Sequence, residues 1–267
     1  MTRSILAAVV ATALICASGA RPASTNNGAP TSIAALGDSI TTAACANGVS
    51  CMDVPADSWA TGTNPAVDSH LSRLQAIWKT QPVRAFNLAS DSDVTMADLA
   101  AQARQARRDG ADYVTIEIGE NDLCGSTSTA AFRAELKRGL AALTAGARTP
   151  KILLLSIENI VAHWRAIRSD PAGRKALASG YTLDCALGDQ VPHTWLTQIE
   201  ARTRVLNNIE AQVCSTVPYC LYDRGTYYQL PLHARYFSPA DYQHLTLAGQ
   251  RALAAAEWKV AQRVIYD

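Results

Sequence analysis

Four short polar stretches in this 267-residue sequence hold residue types that could carry out hydrolysis: Gly37-Asp38-Ser39, Asn87-Leu88-Ala89-Ser90-Asp91-Ser92, Gly119-Glu120-Asn121-Asp122 and Asp241-Tyr242-Gln243-His244. A serine hydroxyl is a poor nucleophile until a base takes its proton. Of the five histidines, His70, His163, His193, His233 and His244, only His244 has a carboxylate three residues upstream. Asp241 in that place can hold Nδ1–H and leave Nε2 free for Ser39. Acyl transfer also needs fixed donors for a developing oxyanion. The Ser39 backbone N–H, at an expected helix start, and the Asn121 amide are candidates. Taken singly, each stretch has an ordinary reading: a helix cap, a turn, or surface decoration. Their chemistry depends on what brings them together.

The intervening sequence alternates strand-like and helix-like segments. Strands are expected at 32–37, 83–88, 113–118, 151–156 and 219–222, and helices at 67–79, 96–109, 130–145, 194–216 and 247–265. Val114–Ile118 and Lys151–Leu155 are almost wholly apolar, as strands covered on both faces must be. Phe132, Leu136, Leu140 and Leu143 make a one-sided helical stripe. Thr95 with Asp98 resembles a capping box, and Gly110 closes the helix that follows. The alternation implies a doubly wound α/β sandwich. In such a sheet ligands bind beyond the carboxyl ends of the strands, which is where the four stretches fall. Residues 157–193 break the alternation and read as an irregular insertion over one end of the sheet. Asp38 is expected to fix its turn by accepting nearby N–H groups, and Glu120 to face solvent or a loop. Trp59, Tyr227, Tyr228, Tyr236 and Phe237 are either pocket lining or ordinary packing.

Residues 1–20 read as a cleaved signal peptide, with Arg3, an apolar run from Ile5 to Cys16 too short to span a bilayer, and small residues before Arg21. The competing readings are a retained anchor and lipidation at Cys16, for which Ile15 is a poor neighbour. Residues 21–31 are a polar lead-in, and 32–267 suffice for one catalytic domain. A net charge of +1 gives no support to nucleic-acid binding. Arg104, Arg107 and Arg108 read as a solvated helix face. Six cysteines remain after the leader, an even number that suggests disulfides in an exported chain. The rival, a structural zinc site, lacks clustered Cys/His spacing in the sequence.

The motifs resemble those of the SGNH (GDSL) hydrolase family over Ala35 to about Trp258. Ser39 in "GDSI" matches its nucleophile, Asn121 in "GEND" its oxyanion asparagine, and Asp241 and His244 in "DYQH" its acid and base. "SWATGTNPAVDSHLSRL" and "LSIENIVAHW" resemble a secreted microbial branch. The resemblance implies a flavodoxin-like three-layer α/β/α sandwich with a mostly parallel five-stranded sheet. It also implies ester cleavage through an acyl-enzyme, without cofactor or metal. Ser92 stands where the family usually has a glycine whose N–H is a third oxyanion donor, and Asp91 and Asp93 flank it. Leu245 replaces a proline often found after the histidine. Lipid, acetylated-carbohydrate and small esters are all compatible substrates, although no strongly amphipathic interfacial helix favours a lipase. A monomer without nucleic-acid partners or stable membrane insertion is expected.

Two other functions compete. One is a catalytically weak module that binds carbohydrate or lipid in the same pocket. The other is a metal-dependent phosphoesterase built from Asp38, Asp91, Asp93, Asp122 and Asp241. Six cysteines permit 15 pairings. Local closure favours Cys45–Cys51 across a Gly-containing loop and Cys214–Cys220 across the turn with Pro218. Cys124 and Cys185 then tie the insertion to the rim of the site.

Overall fold

The apolar run Ser32–Gly37 is extended and buried along its whole length, forming β1 at the centre of a sheet. The computed structural model describes residues 29–79, 81–91 and 93–266. The signal-peptide expectation for 1–20, most of the lead-in and Ser92 lie outside the described residues. After β1 come α1 (His70–Ile77), β2 (Arg84–Asn87), α2 (Leu99–Asp109), β3 (Tyr113–Glu117), α3 (Glu120–Cys124) and α4 (Thr129–Thr144). The second half runs β4 (Lys151–Leu154), α5 (Ile160–Ser169), α6 (Pro171–Ala178), α7 (His193–Cys214), β5 (Cys220–Tyr222) and α8 (Leu247–Tyr266).

The strand order is β2-β1-β3-β4-β5, and every pairing is parallel. β2 lies to one side of β1, and all later strands lie to the other. Right-handed crossovers therefore place α1 on one face and α2 and α4 on the opposite one. The α2–α4 contact closes that layer through Gly139, whose absent side chain lets Leu99 approach to 2.5 Å from a would-be Cβ. On the other face, buried His70 of α1 packs edge-on against Trp258 of α8 at 5.2 Å and lies 3.3 Å from the Ala254 carbonyl oxygen. The order reverses between β1 and β3, the switch point where open sheets of this topology bind ligands.

Strand and helix positions follow the expected alternation within a few residues. The insertion differs: much of residues 157–193 folds into α5 and α6. Asn159 caps α5 by accepting Ala162 N–H at 3.0 Å. Asp170 caps α6 by accepting Ala172 and Gly173 N–H at 2.9 and 3.0 Å, with Pro171 at its first position. Buried Ile160, Val161, Trp164 and Ile167 give α5 a regular inner face. The three expected disulfides are all present.

Candidate active site

At the end of β1 the backbone has no room for a side chain. A Cβ on Gly37 would lie 2.4 Å from the Glu117 carbonyl oxygen and 2.6 Å from Thr41 Oγ1. The Gln102 amide clamps the same residue, accepting its N–H at 2.8 Å and donating to its carbonyl at 2.9 Å. Asp38 Oδ1 then accepts Ile40 N–H at 3.0 Å, so Asp38 does fix the turn. Residues 39–47 continue as successive turns. The expected helix start at Ser39 is absent, because Ala43 and Cys45 adopt left-handed φ of 58° and 57°. Ser39 is half-buried at the mouth of this turn. Gln250 of α8 holds it from behind, donating to the Ile40 carbonyl at 2.8 Å.

At the end of β3, Gly119 takes φ of 135°, a region that side chains disfavour, and opens the short helix α3. Asn121 Nδ2 donates to the Val94 carbonyl at 2.9 Å, which orients the amide and leaves its second N–H available. Asp122 accepts Met96 N–H at 2.7 Å. Arg202 of α7 donates to the carbonyls of Asp122 and Leu123, each at 2.9 Å, occupying acceptors at the end of α3. The Cys124–Cys185 bridge fastens α3 to the insertion.

Before α8, Asp241 Oδ1 accepts the N–H groups of Gln243 and His244 at 3.0 and 3.2 Å. Its Oδ2 makes a short hydrogen bond to His244 Nδ1. Buried groups brace this loop. Tyr227 OH donates to Glu158 at 2.9 Å, His163 Nδ1 lies 2.9 Å from Glu158, and His163 Nε2 lies 2.8 Å from the Tyr242 carbonyl oxygen. Tyr181 of the insertion donates to the Asp241 carbonyl. Arg202 carries no motif in the sequence, and Glu158 and His163 fall in "LSIENIVAHW" without a role assigned to them there; their distance-bridging contacts mark all three.

Ser39, Asn121 and His244 line one small pocket with a cavity volume of about 20 Å³, completed by Asp38, Ile40, Glu120, Asp184 and Gln243. Ser39 Oγ has no hydrogen bond to His244 among the described residues. Catalytic hydrogen bonds often tighten only when substrate seats. Burial alone would lower the His244 pKa, but the hydrogen bond and charge of Asp241, with Asp184 and Asp38 behind, hold it above the ordinary value. Burial would raise Asp241, yet its bonds to His244 and two backbone N–H groups keep it low. Burial pushes Asp38 up to about 6. Burial, then the charges of Asp184 and Glu158, raise Glu120 well above the carboxylate range.

Several expectations need correcting. Glu120 faces the pocket and not solvent, because α3 turns its first residue inward beside Asp184. None of the five aromatic candidates lines this pocket. Trp59 and Tyr227 are fully buried in the core, and Phe237 stacks on His163 at 3.5 Å. Asp91 and Asp93 are exposed and do not line the pocket. Among the described residues Asp38, Asp91, Asp93, Asp122 and Asp241 do not converge on one point, so the five-aspartate metal site does not assemble.

Residues 35–252 match the GDSL-like Lipase/Acylhydrolase family. No curated protein matches the sequence. The fold is similar to that of LAE5, an alpha/beta hydrolase enzyme from the metagenome of Lake Arreo, Spain, with TM-score 0.54 and 20% identity over 89% of this chain and 96% of that one. It is also similar to TesA, with TM-score 0.55 and 19% identity over 87% and 99% of the two chains. A third likeness is a catalytic mutant of Axe2, an acetylxylan esterase from Geobacillus stearothermophilus, with TM-score 0.51 and 15% identity over 85% and 92%. At these identities the likeness concerns the fold.

Proposed function

The chain belongs to the GDSL-like Lipase/Acylhydrolase family and is a carboxylic ester hydrolase; from that premise we propose that Ser39, His244 and Asp241 form its catalytic triad and that the protein is a secreted esterase for short acyl groups. The observation that carries the triad is the convergence of Ser39, Asn121 and His244 on one pocket with Asp241 on His244 Nδ1.

In this reading His244 Nε2 takes the Ser39 proton as Oγ attacks the ester carbonyl carbon. The oxyanion is met by the Ser39 N–H and the free N–H of Asn121; Ser92, the third donor implied by the family resemblance, lies outside the described residues. Collapse of the tetrahedral intermediate breaks the C–O bond, and the imidazolium returns its proton to the departing alcohol. Water then attacks the acyl-Ser39 ester by the same base, releasing acid and free serine. Asp241 holds Nδ1–H throughout, which keeps the accepting lone pair on Nε2 and stabilises the imidazolium.

The small volume and polar lining support a short acyl group on a hydroxyl-rich alcohol, with Ile40 as the one aliphatic wall residue. No helix among the described residues is long and apolar enough to cross a membrane. Secretion is supported by the leader-like residues 1–20 and by three disulfides.

A serine-directed phosphonate followed by peptide mapping should label Ser39, and p-nitrophenyl acetate should be cleaved faster than long-chain homologues, with acetate released from acetylated xylan. Labelling elsewhere would remove the triad; a preference for long chains would remove the short-acyl reading alone.

A further inference from the structure

The Cys45–Cys51 bridge lies against the Asp241–His244 pair. Cys45 Sγ is 2.9 Å from Asp241 Oδ2 and 3.4 Å from His244 Nδ1, and Cys51 Sγ is 3.3 Å from Asp241 Oδ2. One donor atom from each of these four residues lies within 4.8 Å of every other. Among the described residues no other group of His, Cys, Asp and Glu converges in this way.

While the bridge is intact, both sulfurs are neutral and saturated by their mutual bond. Reduction changes the local charge. A trialkylphosphine breaks the S–S bond and, with water, becomes the phosphine oxide while two thiols form. Cys51 is exposed, so a reductant can reach this bridge. The two sulfurs then stand beside a carboxylate and an imidazole nitrogen. Two thiolates, one imidazole and one carboxylate oxygen are a four-ligand set suited to zinc. Bond lengths of about 2.0–2.3 Å put tetrahedral ligands roughly 3–4 Å apart, close to the sulfur–oxygen and sulfur–nitrogen spacings here.

We propose that the reduced chain binds one zinc ion through Cys45, Cys51, Asp241 and His244, and that this silences ester hydrolysis. Binding displaces the two thiol protons. It also takes the Nδ1 lone pair of His244, which forces the ring proton onto Nε2. Nε2–H has no lone pair for the Ser39 proton, so zinc removes the base without touching the nucleophile. The silencing rests on His244 being the base; the metal binding does not.

The full chain, reduced with phosphine, is titrated with cobalt(II) as an optical probe and then with zinc. One equivalent of cobalt should give thiolate-to-metal charge-transfer and tetrahedral ligand-field bands, which zinc bleaches. Zinc should lower ester hydrolysis on the order of 10²-fold, the scale of a lost general base, and a chelator should restore it. The unreduced protein should show no bands and keep its rate with zinc. The Cys45→Ser/Cys51→Ser variant retains the four cysteines of the other two bridges; after the same treatment it should show no bands and keep its own rate. If that variant does not fold, Cys51→Ser, at an exposed position, makes the same comparison. No bands in the reduced wild type, or equal bands in the variant, would overturn the site even if phosphonate still labels Ser39. Bands with undiminished hydrolysis would overturn the silencing and His244 as base together.

Discussion

Ser39 carries the sharpest prediction. Ser39→Ala should abolish turnover with an unchanged melting temperature, since the half-buried hydroxyl has no structural bond to His244 to lose; retained turnover would refute the acyl-enzyme route. On the proposed oxyanion role, Asn121→Ala should lower kcat far more than it raises KM, because the amide would meet charge that exists only in the transition state. Loss of one such donor costs about 2.7–4 kcal/mol, or on the order of 10²–10³ in rate. A change under threefold would instead make the Val94 bond its main role. The pH profile follows from His244 as the proposed base, which must be neutral to accept a proton. Its pKa is raised, chiefly by Asp241 acting against burial, so kcat/KM should climb with pH through an apparent value above the ordinary imidazole, about 6.5. Asp38, which ionises at about 6, adds negative charge over the same span and favours the imidazolium. A plateau already reached by about pH 6 would contradict this assignment.

At the scale of elements, α3 is the part most dependent on others. Five residues cannot hold a helix alone, and Gly119, Arg202, Asp122 and the Cys124–Cys185 bridge all secure it. The bridge spans 61 residues and sets Asp184 of the insertion beside Glu120. Closing a loop of that length is worth about 4 kcal/mol in the chain-entropy picture. Replacing both cysteines by serine should therefore lower stability by a few kcal/mol, read from urea melts. It should also slow turnover of bulky esters more than of p-nitrophenyl acetate, because the insertion is a wall of the pocket. An unchanged acyl-chain preference would detach the insertion from specificity.

Across the whole molecule, burial leaves several carboxyls protonated far above their ordinary range. Glu117, Glu210 and Glu257 are all raised well above it, each by burial first. Neither side-chain oxygen of Glu210 or Glu257 has a hydrogen-bond partner among the described residues. The folded chain thus keeps protons that the unfolded chain releases above about pH 4.3. The unfolded state binds fewer protons, so stability must fall as pH rises through that window, by up to about 1.4 kcal/mol per pH unit per group. Glu210→Gln removes one such group. Thermal melts at pH 5 and pH 8 should show the variant gaining most at pH 8, with a flatter pH dependence; an equal shift at both would mean that Glu210 already ionises in the fold.

Composition and local pattern were enough to place the strands, the long helices, the cysteine pairs and the four polar stretches, because apolar periodicity and short-range closure are local properties. They also marked Ser39, Asn121, Asp241 and His244, whose chemistry depends on residue type and whose order follows the strand ends. The helices α5 and α6 escaped notice because Asn159 and Asp170 cap them in a stretch read as irregular. The inward turn of Glu120, the clamp of Arg202 on α3 and the brace of Glu158 and His163 under Tyr242 were not visible in sequence. The approach of the Cys45–Cys51 sulfurs to Asp241, 190 and more residues away, was equally hidden. Each joins segments distant in the chain, and the close packing of a parallel sheet with helices on both faces decides which side chains meet there.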